Sequence, residues 1–114
     1  MTLLELVLQL EGDIRRRLEP IRMTPLQAEV LLFLRRHADA RVTDAATALC
    51  VRLSTLCVVV TVLVHKRWVT KRRSVKDDRV VSLSLSRRGN ARALQIEQRV
   101  CQVTATLAEQ DRRA

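Results

Sequence analysis

The sequence is poor in aromatic residues, glycine and cysteine. Phe33 and Trp68 are the only aromatics among its 114 residues, so the hydrophobic core has to be aliphatic. With two glycines there is no glycine-rich phosphate loop. The three cysteines, Cys50, Cys57 and Cys101, contain no Cys-x-x-Cys pair, which argues against a disulfide framework or a zinc site.

Long apolar runs and catalytic clusters are also lacking. The longest apolar run, Leu56 to Val64, is about half of what a membrane span needs. The apolar start of the chain has no basic flank and contains Glu5, so a signal peptide is not expected. His37 and His65 lie far apart in sequence. We therefore expect a cytoplasmic protein that is not an enzyme, with no metal, no cofactor and no membrane partner.

The charge, by contrast, is high and unevenly placed. The chain has room for one well-buried core, so we expect a single domain over residues 1–114. Of its net charge of +9, most lies in residues 41–89, which carry eleven basic and three acidic side chains. A concentrated basic segment is typical of proteins that bind nucleic acid, although a solvated basic face gives the same pattern.

Two helices are predicted before this basic segment. Thr2 and Glu5 have the spacing of a capping box, and the apolar positions after them predict an amphipathic helix to about Leu18, ended by Pro20. Thr24 to Gln27 combines a capping threonine, a proline at the first helical position and a second capping box. It predicts the start of another helix.

The stretch from Val42 to Gly89 contains the most informative pattern. A brief strand at Arg41-Val42 is followed by Thr43, which is predicted to cap a helix from Asp44 to about Leu49. After a turn, a second helix is predicted from about Leu53 to Lys66. Together these elements form a helix-turn-helix.

The second of these helices is ambiguous, because Val58 to Val62 is rich in β-branched residues that favour a strand. The run is too long for an average strand and is flanked by helical signals, so we predict a helix. Its predicted buried face consists of Leu56, Val59, Val60 and Leu63. Its predicted outward face consists of Ser54, Thr55, Val58, Thr61, Val62 and His65.

A basic hairpin follows. Trp68 to Arg73 and Val81 to Leu85 alternate apolar and polar side chains, and the residues between them are turn-like. Trp68 is expected to anchor the hairpin to the core. The cations of its tip and flanks are Lys71, Arg72, Arg73, Lys76 and Arg79. A helix-turn-helix followed by such a two-stranded wing has a shape that fits a DNA groove.

Both ends of the chain are predicted to be apolar helices. Ser86 is predicted to cap a last helix that reaches about Gln110. Apolar seams run along the first helix at Leu3, Val7, Leu10 and Ile14, and along the last helix at Ala93, Ile96, Val100, Val103 and Leu107. The two seams can pack on each other within the chain, but two broad apolar helices on so small a domain favour a twofold dimer.

In this order the elements resemble the MarR family of bacterial winged helix-turn-helix regulators. The resemblance runs from about Thr24 to Leu94. It rests on the order and spacing of these segments: Thr24-Pro25-Leu26-Gln27, Val42-Thr43-Asp44, Ala48-Leu49-Cys50-Val51, Ser54-Thr55-Leu56, Trp68-Val69 to Arg72, Asp77-Asp78-Arg79 and Leu83-Ser84-Leu85-Ser86-Arg87-Arg88-Gly89.

The resemblance implies a mainly α fold with a small β-hairpin, in which residues 24–89 form the winged helix-turn-helix core and residues 1–20 and 90–114 form dimerisation helices. It implies a homodimeric repressor that binds pseudo-palindromic double-stranded DNA and is released by a small-molecule inducer or by cysteine oxidation. Arg79 would enter the minor groove, and Asp77 would hold the wing in shape. Phosphate contacts would come from Lys71, Arg72, Arg73 and Lys76, and Arg52 would also contact the DNA. In the major groove, Ser54 and Thr55 would hydrogen-bond base edges, and Val58, Thr61 and Val62 would touch thymine methyl groups.

Three features depart from the family pattern. Val58 and Val62 stand where the family usually has polar or basic side chains, so the second helix would touch thymine methyl groups, or else bind protein and leave DNA binding weak. Arg67 replaces the glycine usual at the end of this helix, which costs on the order of 1–2 kcal/mol if its φ is positive. About one helix of the C-terminal dimerisation region is absent.

The cysteines leave two interpretations open. Cys50 lies in the turn and Cys57 beside the predicted DNA-binding face, so their oxidation would affect DNA binding. Arg52 nearby would favour the thiolate form of a cysteine. Free cysteine is more often a small buried hydrophobe, and we favour that interpretation for all three.

Overall fold

The computed structural model describes residues 1–77 and 79–113, with side chains as far as Val100. It is mainly helical with a small antiparallel sheet, as predicted. In chain order the elements are α1 (Leu3–Leu18), a 3₁₀ turn (Glu19–Ile21), α2 (Pro25–Arg36), β1 (Ala40–Arg41), α3 (Val42–Ala48), α4 (Leu53–His65), β2 (Val69–Arg73), β3 (Val81–Leu85) and α5 (Arg87–Arg113).

The two predicted capping boxes are confirmed. The Thr2 hydroxyl accepts the Glu5 N–H at 3.1 Å, and the Glu5 carboxylate accepts the Thr2 N–H in return. Thr24 and Gln27 form the same reciprocal pair at the start of α2. Because each pair satisfies two backbone donors that the helix itself leaves open, both helices begin at the predicted residues.

The start of α3 was predicted wrongly. Its N-cap is Arg41, whose side chain makes no capping hydrogen bond, and the helix begins at Val42 rather than after Thr43. Thr43 lies in the first turn, where its carbonyl accepts the hydroxyl of Thr47 at 3.1 Å. The strand before it ends at Arg41, because pairing with β3 extends the chain only as far as that residue.

The β-branched segment is helical, as predicted against its local propensity. Leu56, Val60 and Leu63 are fully buried along one face of α4, and Val59 is half-buried rather than buried. Burial of three large side chains outweighs the few tenths of a kcal/mol that each β-branched residue costs a helix. Tertiary packing therefore decides the secondary structure here.

The sheet has three strands in the order β1-β3-β2, all antiparallel. The predicted hairpin pairs β2 with β3, and Lys71 lies opposite Leu83. Leu83 is fully buried and therefore fixes the register, because a slip of one residue would turn it to solvent. The pairing of β1 with β3 ties the wing to the start of the helix-turn-helix.

The core is aliphatic and continuous from α1 to α5, and Trp68 anchors the base of the wing as expected. Ile96, predicted to face a partner chain, is instead fully buried between α5 and the rest of the protomer. Its side chain cannot contact a partner chain, because this part of α5 packs against the core of its own protomer. Val100 is partly buried against the same core, and the side chains of Val103 and Leu107 lie outside the described part of the chain.

Glycine is absent from the backbone conformations that favour it. Arg22, Asp39, Cys50 and Arg67 all have φ between 55° and 64°, in the left-handed region. Arg67 is the position at which the sequence predicted this strain. Both glycines lie in helices, at Gly12 and Gly89, and neither has a positive φ.

No single helix of the described residues is long and apolar enough to cross a membrane. Together α3 and α4 have the length and apolar composition of a span, but their axes are bent by 114° relative to each other. The apolar side chains Leu56, Val60 and Leu63 of α4 are buried in the protein core.

Candidate nucleic-acid interface

The outward face of α4 is exposed along its whole length. Val58 is 67% exposed and Val62 is 38% exposed, one helical turn apart on the side opposite the buried stripe. The remaining residues predicted on this face, Ser54, Thr55, Thr61 and His65, are exposed as well. The predicted outward face is therefore confirmed, whereas Val59 of the predicted buried face is half-buried.

The N-terminal end of α4 also remains open. Its N-cap is Arg52, which makes no side-chain capping bond, and no acidic residue occurs in the first turn. The first backbone N–H groups of a helix have no partner within the helix and carry part of its positive dipole. An anion such as a phosphate is the natural partner for this end.

The wing turn is organised by Asp77. One of its carboxylate oxygens accepts both the backbone N–H of Arg79 at 3.0 Å and its side-chain Nε–H at 3.2 Å. The Asp77 carbonyl accepts the Val80 N–H at 3.0 Å, and the Ser74 hydroxyl accepts the Lys76 N–H at 3.2 Å. These bonds set the direction of the Arg79 side chain, which is 92% exposed beyond its ion pair with Asp77.

Basic side chains continue from the turn along β2. Lys71, Arg72 and Arg73 are exposed, and Lys76 is exposed at the tip. Lys71 and Arg79 also line a cleft of about 260 Å³ between the wing and the helix-turn-helix, together with Arg41 and Cys57. The strand pairing of β1 brings Arg41 to this cleft, a placement that the sequence pattern did not reveal because it depends on long-range pairing.

A junction at Trp68 joins α4, the wing and α5. The Trp68 carbonyl accepts the Ser86 N–H at 3.0 Å, and the Arg67 carbonyl accepts the Ser86 hydroxyl at 2.5 Å. The same hydroxyl accepts the Gly89 N–H at 3.0 Å, which confirms Ser86 as the cap of α5. A Cβ on Gly89 would lie 1.9 Å from the Trp68 carbonyl oxygen, so the first turn of α5 approaches this backbone as only glycine allows.

The N-terminal half of α1 exposes an unusual amount of apolar surface. Leu3, Leu4, Val7 and Leu8 are all exposed, whereas Leu10 and Ile14 are half-buried. Ile14 packs against the core, and the Arg17 carbonyl accepts a hydrogen bond from Arg99 of α5 at 3.2 Å. The C-terminal half of α1 is thus held by the protomer, while its N-terminal half is not covered.

A cavity of about 600 Å³ lies between α1, α2 and α5. Its apolar lining includes Leu18, Leu26, Leu32 and Ile96. Charged side chains also line it, namely Glu11, Arg15, Glu29 and Arg36. The volume and the mixture of apolar walls with a few polar groups are those of a small-molecule pocket.

The favoured interpretation of the cysteines was wrong for two of them. Cys50 and Cys57 are exposed free thiols rather than buried hydrophobes. Cys50 directly follows Leu49, the C-cap of α3, and has a φ of 55°. The side chain of Cys101 lies outside the described part of the chain.

A helix-turn-helix with one exposed helical face, continued by a basic wing, defines the class of winged helix-turn-helix transcriptional regulators. The protein belongs to this DNA-binding class. The family model described as transcriptional regulator SarA/Rot matches residues 16–96, which is more than half of the chain. The chain therefore belongs to the SarA/Rot family of transcriptional regulators.

Solved structures agree with this assignment and identify the fold as MarR-type. The apo form of MarR from E. coli is 25% identical, with a TM-score of 0.83, and the match covers 97% of this chain and 85% of that one. A MarR variant from E. coli complexed with operator DNA is 29% identical, with a TM-score of 0.78 and coverages of 86% and 71%. The MepR–DNA complex from S. aureus shares the fold at 20% identity, with a TM-score of 0.88 and coverages of 96% and 85%.

No curated protein sequence matches the chain. The alternative of a protein-interaction module built on a winged helix is not favoured, because the family and the similar structures are those of transcriptional regulators.

Proposed function

We propose that the protein acts as a homodimer that represses transcription by binding a pseudo-palindromic operator. Each protomer would place α4 in the major groove and its wing over the adjacent minor groove. The observation that carries this proposal is the wing turn, in which Asp77 holds Arg79 in an exposed, outward position. An arginine presented in this way fits the negative potential of a narrow minor groove.

Phosphate contacts would come from the rest of the basic surface. The cations of β2 and of the wing tip are exposed, and Arg52 flanks the open N-terminal end of α4. Ser54 and Thr55 lie in the first turn of that helix, where their hydroxyls can reach base edges. Since genomic DNA is the proposed ligand, the proposed place of action is the cytoplasm.

The salt dependence of binding tests this interface. A plot of log affinity against log salt concentration has a slope of about −0.9 for each phosphate contact. Replacing Arg72 with Ala removes a contact from both protomers, so the slope should become shallower by roughly 1.8. Arg79→Ala should weaken binding most at operators with a narrow minor groove.

Arg15→Ala is a matched control, because Arg15 is an exposed arginine of α1 that lines the cavity between α1, α2 and α5 and does not belong to the wing. It should leave the slope unchanged. Absence of duplex binding at low salt, or equal slopes for wild type and Arg72→Ala, would refute the proposed interface.

The dimer proposal rests on the uncovered half of α1. Leu3, Leu4, Val7 and Leu8 are exposed on the protomer, and a contiguous patch of this kind marks an interaction site. Half-sites one helical turn apart require a twofold dimer. Val100, with Val103 and Leu107 farther along α5, would extend the same interface.

Sedimentation analysis of Leu4→Glu/Leu8→Glu tests the dimer. Two buried charges should shift the protein to a monomer, because each would lose its hydration without gaining a partner. Gln9→Glu adds a charge on the opposite face of α1 and should leave a dimer. A wild type that sediments as a monomer at micromolar concentration would contradict the proposal.

An inducer would occupy the cavity between α1, α2 and α5. Because the cavity borders both terminal helices, a ligand there can change the angle between the dimerisation helices and the wings. A hydroxybenzoate is a suitable probe, since its ring fits the apolar wall and its carboxylate can meet Arg15 or Arg36. Leu32→Trp should fill the cavity and abolish binding of the probe in calorimetry. Equal binding by the variant would place the probe elsewhere.

A further inference from the structure

The reading face of α4 lacks the side chains that most often recognise purines. Between Leu53 and His65 there is no arginine, lysine, asparagine or glutamine. Bidentate contacts to guanine come from arginine or lysine, and those to adenine come from asparagine or glutamine. The body of this helix therefore cannot make either contact.

Its centre is apolar instead. Val58 and Val62 lie one helical turn apart on the outward face, and Val58 is among the most exposed large hydrophobic residues outside the chain terminus and the wing tip. Their branched side chains present methyl groups away from the protomer, because Leu56, Val60 and Leu63 take up the opposite face.

The Thr61 hydroxyl, the one hydroxyl between Val58 and Val62, already forms a hydrogen bond within the helix. Thr61 donates its hydroxyl proton to the Cys57 carbonyl at 2.8 Å within the helix. Thr61 can still accept a hydrogen bond, but it cannot donate one to a base without breaking this contact. The face from Val58 to Val62 therefore offers methyl groups and almost no donors.

We infer that Val58 and Val62 recognise the C5-methyl groups of thymines, so that each operator half-site is specified by two thymines at the centre of the α4 contact. This inference rests on the proposed binding of α4 in the major groove. The two valines are about 6 Å apart along the helix. That distance corresponds to about two steps of 3.4 Å along one DNA strand.

Thymine is the base that such a face selects. Among the four bases it alone carries an apolar group in the major groove. The remaining base edges carry donors and acceptors, which would lose water against a valine without gaining a hydrogen bond. Discrimination is thus built from a favourable methyl contact and from the desolvation of every other base.

Replacement of thymine by deoxyuridine tests the inference, because it removes the methyl group and leaves the base pair intact. The operator is first isolated by selection from random duplexes with the full-length protein. Burial of one methyl group corresponds to about a fourfold change in affinity. Deoxyuridine at either predicted thymine should weaken binding about fourfold, and at both positions of one half-site about fifteenfold.

Two variants assign the effect to the helix. With Val58→Ala, the penalty for deoxyuridine at the thymine paired with Val58 should disappear, while the penalty at the other thymine remains. Val75→Ala is the matched control, because Val75 is fully exposed at the wing tip and the C5-methyl group lies in the major groove. This control should retain both penalties, even if its overall affinity changes.

The outcomes separate this inference from the proposed function. A selected operator without thymines at the centre of each half-site, or deoxyuridine penalties that Val58→Ala leaves unchanged, would overturn the inference while DNA binding itself stands. Selection of no duplex at low salt would overturn both. Loss of a protein partner in Val58→Ala, with unaltered operator affinity, would also overturn it.

Discussion

Replacing Arg67 with glycine should stabilise the protein. Arg67 has a φ of 64°, and its N–H donates to the Val64 carbonyl at 3.0 Å while the Trp68 N–H donates to the Leu63 carbonyl at 3.0 Å. These two bonds close the end of α4 and hold the residue between them in the left-handed conformation. A residue with a Cβ pays on the order of 1–2 kcal/mol there.

The expected gain is smaller than the strain that is removed. Glycine loses about 0.5–1 kcal/mol more conformational entropy on folding, so the net stabilisation should be about 0.5–1 kcal/mol. For a chain of this size that corresponds to an increase in Tm of about 2–5 °C. The Arg67 carbonyl remains in place to accept the Ser86 hydroxyl, because only the side chain is removed.

Urea unfolding at a fixed protomer concentration measures this difference. Trp68 is the sole tryptophan and is buried, so its fluorescence reports the loss of the junction. Arg67→Ala removes the same charge and keeps the Cβ, so the difference between the two variants equals the strain minus the entropy cost of glycine. Ala91→Gly, at an exposed helical position of α5, should lose about 1 kcal/mol. If Arg67→Gly were no more stable than Arg67→Ala, a strain larger than the entropy cost of glycine would be refuted.

Three further changes have definite expected outcomes. Gly89→Ala should lower the free energy of unfolding by about 3 kcal/mol in thermal unfolding, because its Cβ would overlap the Trp68 carbonyl oxygen. Gly12→Ala should raise the free energy of unfolding by about 0.5–1 kcal/mol, because its Cβ meets only the end of the flexible Arg16 side chain. Asp77→Ala should weaken operator binding about fivefold without lowering Tm, because Arg79 loses the acceptor of two hydrogen bonds; an unchanged affinity would contradict this. Thr24→Ala should destabilise α2 by about 1 kcal/mol in urea unfolding and Thr24→Ser by much less, unless the capping box contributes nothing.

Local features of the fold could be predicted from the sequence alone. Both capping boxes, the wing strands and the two faces of α4 depend on neighbours within a few residues or on a regular period, and these predictions agree with the structure. The strain at Arg67 could also be predicted, since it follows from a helix end without glycine.

Features that depend on distant contacts could not be predicted in this way. Pairing of β1 with β3 moves the start of α3 and brings Arg41 beside the wing, but nothing in the local sequence encodes that partner. The periodicity of α5 is equally compatible with packing inside a protomer and between protomers. Only the tertiary structure shows that Ile96 is used inside the protomer.

The Trp68 junction gives the two proposed DNA-reading elements a common attachment. Ser86 donates hydrogen bonds to the carbonyls of Arg67 and Trp68, the two residues between the C-cap of α4 and the start of β2. Gly89 packs directly on the Trp68 carbonyl. A rotation of α5 would therefore be transmitted through these contacts to the end of α4 and the base of the wing. Since α5 also borders the cavity and the proposed dimer interface, a ligand or partner that tilts α5 would displace both reading elements together without touching either.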